Sequence, residues 1–350
     1  MKGRLRPRRG TGIWLDDKPS SEREELVSKF GLKPRIVAVA DSSGALVDER
    51  GVDIERALEA KKRYRYLARA MPNNVVKTPL EELLENFDYD VLVETTPTNI
   101  VDGEPGLTYI KIALSMGKSV VTTNKGPLAL ALPALTEMAD RNGAILRFSG
   151  TVGGGTPILD FGRMCQSGDE VVKVEGILNG TTNYVLTRMY SDGLDFDEAL
   201  IEAQKAGYAE KDPSMDVEGF DTACKLVIIA NYVMGLTVTL KDVEIRGIKG
   251  VTYGQLKELA KSGKTVKLLG TIDKEHGLLT VQSREVDLTD PLCVWGTLNA
   301  VTFHMEKLGS ETIVGKGAGG AETAVAIVRD LIIVKRFLMD SLGGLPLKSL

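Results

Sequence analysis

Asp221 and Lys225 stand four residues apart in the segment GFDTACKLVII. On an α-helix that spacing puts both side chains on one face, one above the other. Phe220, Ala223, Leu226, Val227, Ile228 and Ile229 make the segment apolar nearly all round, the pattern of a buried helix. A lysine in such a helix loses water, and desolvation lowers a lysine pKa toward the range useful for proton transfer. The plain alternative is an i,i+4 ion pair that stabilises the helix by ~0.2–0.5 kcal/mol. A further carboxyl group, Glu210, precedes the helix in a loop held by Asp212-Pro213.

A second lysine, Lys125, lies in TTNKGPLA, directly after the apolar run SVVTTN. If that run is a strand, Lys125 sits at the carboxyl end of the sheet, where ligands bind in open α/β folds. A solvated loop lysine is the competing reading. Two glycine-rich turns complete the inventory, GTVGGGTPIL after Gly150 and GKGAGG at Gly315–Gly320. A glycine turn opening a helix can bring backbone N–H groups to a phosphate, although by itself it is weak evidence. The first turn reads equally as a domain junction.

The elements that must position these residues follow from the apolar pattern. Strands are expected at Ile36–Asp41, Asn74–Thr78, Val91–Thr96, Ser119–Asn124 and Ala144–Gly150, with helices at Gly106–Met116 and Pro127–Asn142. Strands alternating with helices of this length predict an α/β fold with a Rossmann-like, doubly wound parallel sheet. After Gly150 the pattern changes. A strand is expected at Val171–Leu178 and a helix from NGTTN. Asp195 with Glu198 resembles a capping box for a helix ending near Gly207. A helix at Gly219–Met234, strands at Val266–Ile272, Leu278–Val286 and Thr297–His304, and a final helix complete a second, α+β domain.

Composition narrows the class. The chain has 350 residues, 43% of them apolar, a net charge of −4 and a pI near 5.5. That balance argues against a dedicated nucleic-acid binder. Three scattered cysteines, Cys165, Cys224 and Cys293, make no disulfide framework or CxxC site, and His276 and His304 lie apart. No apolar run reaches the roughly 18–20 residues of a membrane span, and the first 20 residues lack the apolar stretch of a secretory signal. A cytoplasmic protein with no nucleic-acid or membrane partner is expected.

The run GYAEKDPSMDVEGFDTACK, Gly207–Lys225, matches every fixed position of G-[YF]-A-E-x-D-P-x-x-D-x-x-G-x-D-x-x-x-K. In this the chain resembles the homoserine dehydrogenases, which interconvert L-homoserine and L-aspartate 4-semialdehyde with NAD or NADP on the way to threonine, methionine and isoleucine. The resemblance implies that Lys225 exchanges a proton with the substrate oxygen and that Lys125 lies between nicotinamide and substrate. It implies that Glu210 and Asp221 bind the polar groups of homoserine, with Gly207 close to both ligands. Thr95 and Thr96 match positions that border the cofactor, and Gly317 and Gly319 match a loop that touches it. SGTVGGGTPIL resembles a stretch whose carbonyls, here those of Val152, Gly154 and Thr156, coordinate a monovalent cation (Na or K) together with a glutamate. The glutamate position is Ser149. Family members pair through the second domain, so a homodimer is implied. A rival enzyme of the same aldehyde, aspartate-semialdehyde dehydrogenase, needs a nucleophilic cysteine with a histidine base, and no motif supplies one.

The resemblance runs from about residue 35 to the end. Family members open with an apolar strand and a G-x-G-x-V-G turn, where this chain reads MKGRLRPRRGTGIWLDDKPS. Charged residues and Pro7 do not make a buried central strand. Gly10 and Gly12 read as a chance spacing, whereas SEREELVSKFG reads as the tail of a first helix. The first strand and turn are therefore expected to be missing or altered, which keeps open a catalytically silent homologue impaired in cofactor binding. Asp41 ends the second strand, where an acid accepts the adenine ribose hydroxyls and repels a 2′-phosphate. Ser42 and Ser43 could equally hold a phosphate. The expected domains are 1–150 for the dinucleotide, completed by 311–342, and 151–310 for catalysis and dimerisation, with no ACT or aspartokinase domain.

Overall fold

The computed structural model describes residues 26–70 and 75–341. The expectations about residues 1–20, including Gly10 and Gly12, fall outside them. Residues 26–30 are helical, in agreement with the expected helix tail.

The N-terminal part holds two three-stranded sheets. The parallel one comprises β4 (Val91–Glu94), β5 (Ser119–Thr122) and β6 (Leu146–Arg147), joined by helices α4 (Gly106–Ser115) and α5 (Lys125–Arg141). Its carboxyl edge faces the second domain. The other sheet comprises β1 (Ala38–Asp41), β2 (Gly44–Val47) and β3 (Val75–Val76), and it is antiparallel. This corrects the expectation of a single parallel run from Ile36 to Gly150. The two-residue Ser42-Ser43 link closes a hairpin, with Ser43 N–H and Oγ both donating to Asp41 Oδ1, at 2.8 and 2.5 Å. At Gly44 φ is +133°, and a β-carbon there would lie 2.5 Å from Val75 Cγ1. Helices α1 (Ile54–Tyr64) and α2 (Leu67–Ala70) and the short α3 (Leu80–Asn86) connect these sheets.

Helix α5 begins two residues before the expected start, because Asn124 caps it by accepting from Gly126 N–H. The helix is interrupted at Ala131 (φ −144°), close to Pro133, which removes a backbone donor from the helix interior.

The second domain is a mixed six-stranded sheet in the order β12-β11-β7-β9-β10-β8. Its strands are β7 (Val171–Ile177), β8 (Glu244–Ile245), β9 (Lys264–Asp273), β10 (Leu278–Asp287), β11 (Leu298–Met305) and β12 (Gly309–Lys316). The last of these was not expected. GSETIVGK is polar and half-exposed, as an edge strand tends to be. Because β12 pairs with β11 along its length, the expected boundary at residue 310 cuts a strand, and the domain extends to Lys316. Helices α6 (Ile158–Gln166), α7 (Gly180–Asp192), α8 (Phe196–Ala206), α9 (Ser214–Val217), α10 (Phe220–Tyr232) and α11 (Tyr253–Ala260) accompany this sheet. Residues Ala223 and Leu226–Ala230 of α10 join Val174, Val301 and Phe303 in the main core.

The final helix, α12 (Gly320–Ser341), returns to the first domain. Its Ile327, Val328, Leu331 and Val334 pack with Val121 of β5 and with Leu32. The end of the described chain is thus packed against the parallel sheet of the N-terminal part. Among the described residues no helix is long and apolar enough to cross a membrane.

Candidate active site

The site forms where the carboxyl ends of β4, β5 and β7 meet the first turns of α10. Lys225 is 6% exposed. Its Nζ donates to Asp221 Oδ2 and to the carbonyl of Leu178, both at 2.6 Å. The expected stripping of water is therefore compensated by two acceptors that hold the ammonium in one place. Lys125, the first residue of α5, brings its Nζ to 3.4 Å from the other Asp221 oxygen, Oδ1. One carboxylate thus bridges two lysines that lie 100 residues apart in the chain. Burial pushes the Asp221 carboxyl up, but Lys225 and then Lys125 outweigh it and hold the group well below the usual carboxylate range.

Asn179 completes the arrangement, and sequence reading missed its role. Its Oδ1 caps α7 by accepting from Thr182 N–H at 2.8 Å. Its Nδ2 donates to Asp221 Oδ2 at 2.8 Å and to Asp216 Oδ1 at 2.7 Å. Burial and then the charge of Asp221 raise the Asp216 carboxyl above its ordinary value. The only visible signal for Asn179 was the NGTT helix start, which explains one of these three side-chain hydrogen bonds.

The loop that leads from α8 to Glu210 turns on Gly207. As the C-cap of α8 it adopts φ +82°, a left-handed conformation that glycine takes without strain. Tyr208 follows, its carbonyl accepting from Thr181 Oγ1 at 2.8 Å. Glu210 is half-buried, and its backbone carbonyl accepts from Gln204 Nε2 at 2.9 Å.

On the nucleotide side a second missed residue organises Thr96, Thr122 and, through Thr96, Asn124. Glu94 ends β4 and is 2% exposed. Its Oε1 accepts from Thr96 N–H (2.6 Å) and Thr96 Oγ1 (2.5 Å), and its Oε2 from Thr122 Oγ1 (2.7 Å). Asn124 Nδ2 donates to Thr96 Oγ1 at 3.1 Å. Gly106 must be small here, since a β-carbon would lie 2.6 Å from Asn124 Nδ2. Nothing but a glutamate at a strand end marked Glu94 in the sequence.

The two glycine turns converge. A β-carbon on Gly154 would lie 3.2 Å from the backbone of Gly317 and Ala318, and Thr156 Oγ1 donates to the Lys316 carbonyl at 3.1 Å. A β-carbon on Gly317 would fall 2.1 Å from Asn299 Nδ2. Asn299 is fully buried, and neither polar atom of its amide has a hydrogen-bond partner. The Asn299 amide thus fills the space that a side chain at position 317 would take, so the loop can lie on it only with glycine there. Gly319, with φ +141°, lies beside the Glu322 carboxylate. Val152, Gly154 and Thr156 lie in the same turn, which Ser149 enters through a single 3-10 turn, Ser149–Thr151.

Asp41 does not match its expected role. Its carboxylate accepts from Lys61 Nζ (2.5 Å), Leu67 N–H (3.1 Å) and both donors of Ser43, and the side chain is 3% exposed. These four donors hold it as a structural anchor for α1 and α2. Burial raises its carboxyl, but Lys61, Ser43 and Leu67 bring it below the ordinary value. No acceptor face is left for a ribose.

All three cysteines are buried and burial raises each thiol, Cys224 to about 12. His276 is held by Asp273, and His304 by Ser310 and Glu175. A cysteine–histidine nucleophile is not assembled from these residues, which removes the support for aspartate-semialdehyde dehydrogenase chemistry.

The homoserine dehydrogenase profile matches residues 157–332, and the NAD binding domain of homoserine dehydrogenase matches residues 16–149. The chain belongs to the homoserine dehydrogenase family. It is 43% identical over 311 residues to the homoserine dehydrogenase of Methanocaldococcus jannaschii, covering 89% of this chain and 92% of that one. It is 35% identical over 318 residues to the NAD(+)-dependent homoserine dehydrogenase of Pseudomonas canavaninivorans, covering 89% and 90%. Among solved structures, the homoserine dehydrogenase of Archaeoglobus fulgidus superposes with a TM-score of 0.79 at 38% identity, over 89% of this chain and 94% of that one. A hyperthermophilic archaeal homoserine dehydrogenase mutant in complex with NADPH gives 0.77 at 27% identity, over 93% and 94%. Family membership settles the fold class as a Rossmann-like nucleotide domain joined to a mixed-sheet catalytic domain. It also makes the chain a nicotinamide-dependent oxidoreductase.

Proposed function

We propose that the chain catalyses the NAD(P)-dependent interconversion of L-homoserine and L-aspartate 4-semialdehyde, a step toward threonine, methionine and isoleucine. The carrying observation is the Lys225–Asp221–Lys125 arrangement at the junction of the two domains.

The bound nicotinamide supplies the hydride exchanged with C4 of the substrate. Thr95, Thr96, Lys125, Gly207, Gly317 and Gly319 would hold the cofactor, an assignment supported by the place of Thr96 and Lys125 just beyond the carboxyl ends of β4 and β5. Lys225 gives a proton to the developing alkoxide in reduction and takes the hydroxyl proton in oxidation. The Leu178 carbonyl and Asp221 fix the direction of its ammonium, so little reorganisation is needed at the moment of transfer. Lys125, 3.4 Å from the same carboxylate, adds a second positive charge beside the forming oxyanion. Glu210 and Asp221 meet the ammonium group of homoserine, with Gly207 leaving room for both ligands.

A cytoplasmic homodimer belongs to the same reading. Val174, Val301 and Phe303 face the helix-covered core, and strand alternation sends Glu175, Thr302 and His304 to the opposite face of the sheet. That face is where a second copy would lie.

Incubation with L-homoserine and either NAD or NADP tests the reading. Reduced nicotinamide should accumulate in proportion to aldehyde, and the aldehyde should oxidise NADH or NADPH in reverse. A chain that binds cofactor and turns over neither compound would be a silent homologue, and the proposal would fail.

A further inference from the structure

The residues present do not fit the cation site implied by family resemblance, and of its three carbonyls that of Thr156 already accepts from Ile158 N–H at 2.8 Å. The position of the coordinating glutamate holds Ser149, which is buried. Its Oγ accepts from Arg329 Nη2 at 3.1 Å, and its N–H donates to Asp330 Oδ2 at 2.8 Å. Arg329 Nη1 donates to the carbonyl of Gly155, also at 3.1 Å. Its Nε lies 3.7 Å from Asp160 Oδ2. One guanidinium therefore already takes a carbonyl of the glycine turn together with the side chain at the glutamate position.

Charge balance around the turn points the same way. Asp330 is 1% exposed and accepts from Arg147 Nε at 3.1 Å. Asp160 accepts from Arg147 Nη2 at 2.7 Å. The two arginines and two aspartates compensate one another, and the Glu322 carboxylate beside the turn is paired with Lys316 Nζ at 3.1 Å. Among the described residues no group of three histidine, cysteine or acidic side chains could hold a metal. Shape agrees as well, since Cβ and the backbone of Glu322 on α12 would lie 3.1 Å from a β-carbon on Gly155. The helix that carries Arg329 is thus seated directly on the turn it contacts.

We propose that Arg329 is the resident cation of the glycine turn, holding Ser149 and Gly155 with its own guanidinium in place of a monovalent metal ion. A planar fork of donors fixed to a helix suits one carbonyl and one hydroxyl, whereas a spherical ion needs several oxygens pointing at a common centre. Arg329 therefore acts as a positioning residue. It keeps the Gly153–Thr156 turn against the Lys316–Gly319 loop without drawing on ions from solution.

The test reads thermal unfolding as well as turnover, so it does not depend on homoserine being the substrate. The whole chain is melted in potassium, sodium and tetramethylammonium chloride at equal ionic strength. A specifically bound ion raises the melting temperature as its concentration passes its Kd, and the organic cation is too large to do so. The expected result is one melting temperature in all three salts, within about 1 °C, and turnover unchanged within about twofold. Arg329→Met should lower the melting temperature in every salt, and Arg329→Lys, which restores the charge but not the fork, should recover part of the loss. Stabilisation of the unaltered chain by potassium or sodium over tetramethylammonium would overturn the proposal. So would an Arg329→Met chain that melts with the wild type. If Arg329→Met does not fold, the salt comparison on the unaltered chain decides alone.

Discussion

Asp221 and Lys225 make a 2.6 Å ion pair across one helical turn, and the same carboxylate reaches Lys125 from another domain. An i,i+4 pair on an exposed helix adds a few tenths of a kcal/mol. Here the pair is buried and shared, so it does something a surface pair cannot. It fixes the distance between two ammonium groups brought together from α5 and α10.

This sharing separates the two carboxylates that the sequence treats alike. Glu210→Gln should raise the homoserine KM by about tenfold or more, the cost of one charge-assisted contact, with kcat and cofactor Kd nearly unchanged. Asp221→Asn should raise KM and lower kcat together, because it also releases Lys225 and Lys125. Steady-state kinetics with calorimetric cofactor titration checks both. A tenfold loss of cofactor affinity in Glu210→Gln with an unchanged homoserine KM would put Glu210 on the wrong ligand.

Asp41→Ala should cost stability rather than choose a cofactor. Breaking a buried ion pair costs roughly 3–5 kcal/mol, and here Lys61, Ser43 and Leu67 all lose their acceptor. Melting should shift down by several degrees, while the ratio of NAD to NADP affinity stays within about threefold. A selective loss of NAD affinity in a chain that melts normally would restore Asp41 to the ribose.

Lys267 supplies a pH test of the second domain. It is buried, with Nζ donating to Asn183 Oδ1 (2.9 Å) and the Val294 carbonyl (2.6 Å) and lying over the Trp295 ring. Burial lowers its pKa from 10.5 to about 8. Between those values the unfolded chain keeps a proton that the folded chain has released, so stability rises with pH there. The penalty of the buried ammonium is fully present below pH 8. Denaturant unfolding of wild type and Lys267→Met should therefore show a difference that drifts in favour of wild type from about pH 8 to 10.5 and is flat below. A flat difference throughout would mean that the amine is not desolvated.

Much of the candidate site on α10 was legible because its pattern is local. Gly207 to Lys225 lies within one loop and one helix, and the burial of Lys225 follows from its apolar neighbours. Lys125 was legible for a different reason, its place just after a strand. What escaped depends on partners distant in sequence. Glu94 gathers Thr96 and Thr122, Asn179 joins Asp216 to Asp221, and Arg329 meets Ser149 from 180 residues away. No spacing rule reaches that far. The β1–β2 hairpin was missed although its signal was present, a two-residue serine turn followed by Gly44. The apolar run before it read as a buried parallel strand. The edge strand β12 was too polar to stand out, which misplaced the domain boundary.

The central claim is that Lys225 moves the substrate proton. Lys225→Met keeps most of the packing on α10, and Asp221 retains Lys125 and Asn179 as partners. The decisive measurement is kcat for homoserine oxidation by this variant, taken with calorimetric cofactor binding and a melting curve on the same preparation. The account predicts a loss of ~10²–10⁴ in kcat, the range for a general acid or base, with cofactor affinity within about twofold of wild type and a folded protein. A variant that keeps more than about half of the wild-type kcat while binding cofactor normally would contradict it.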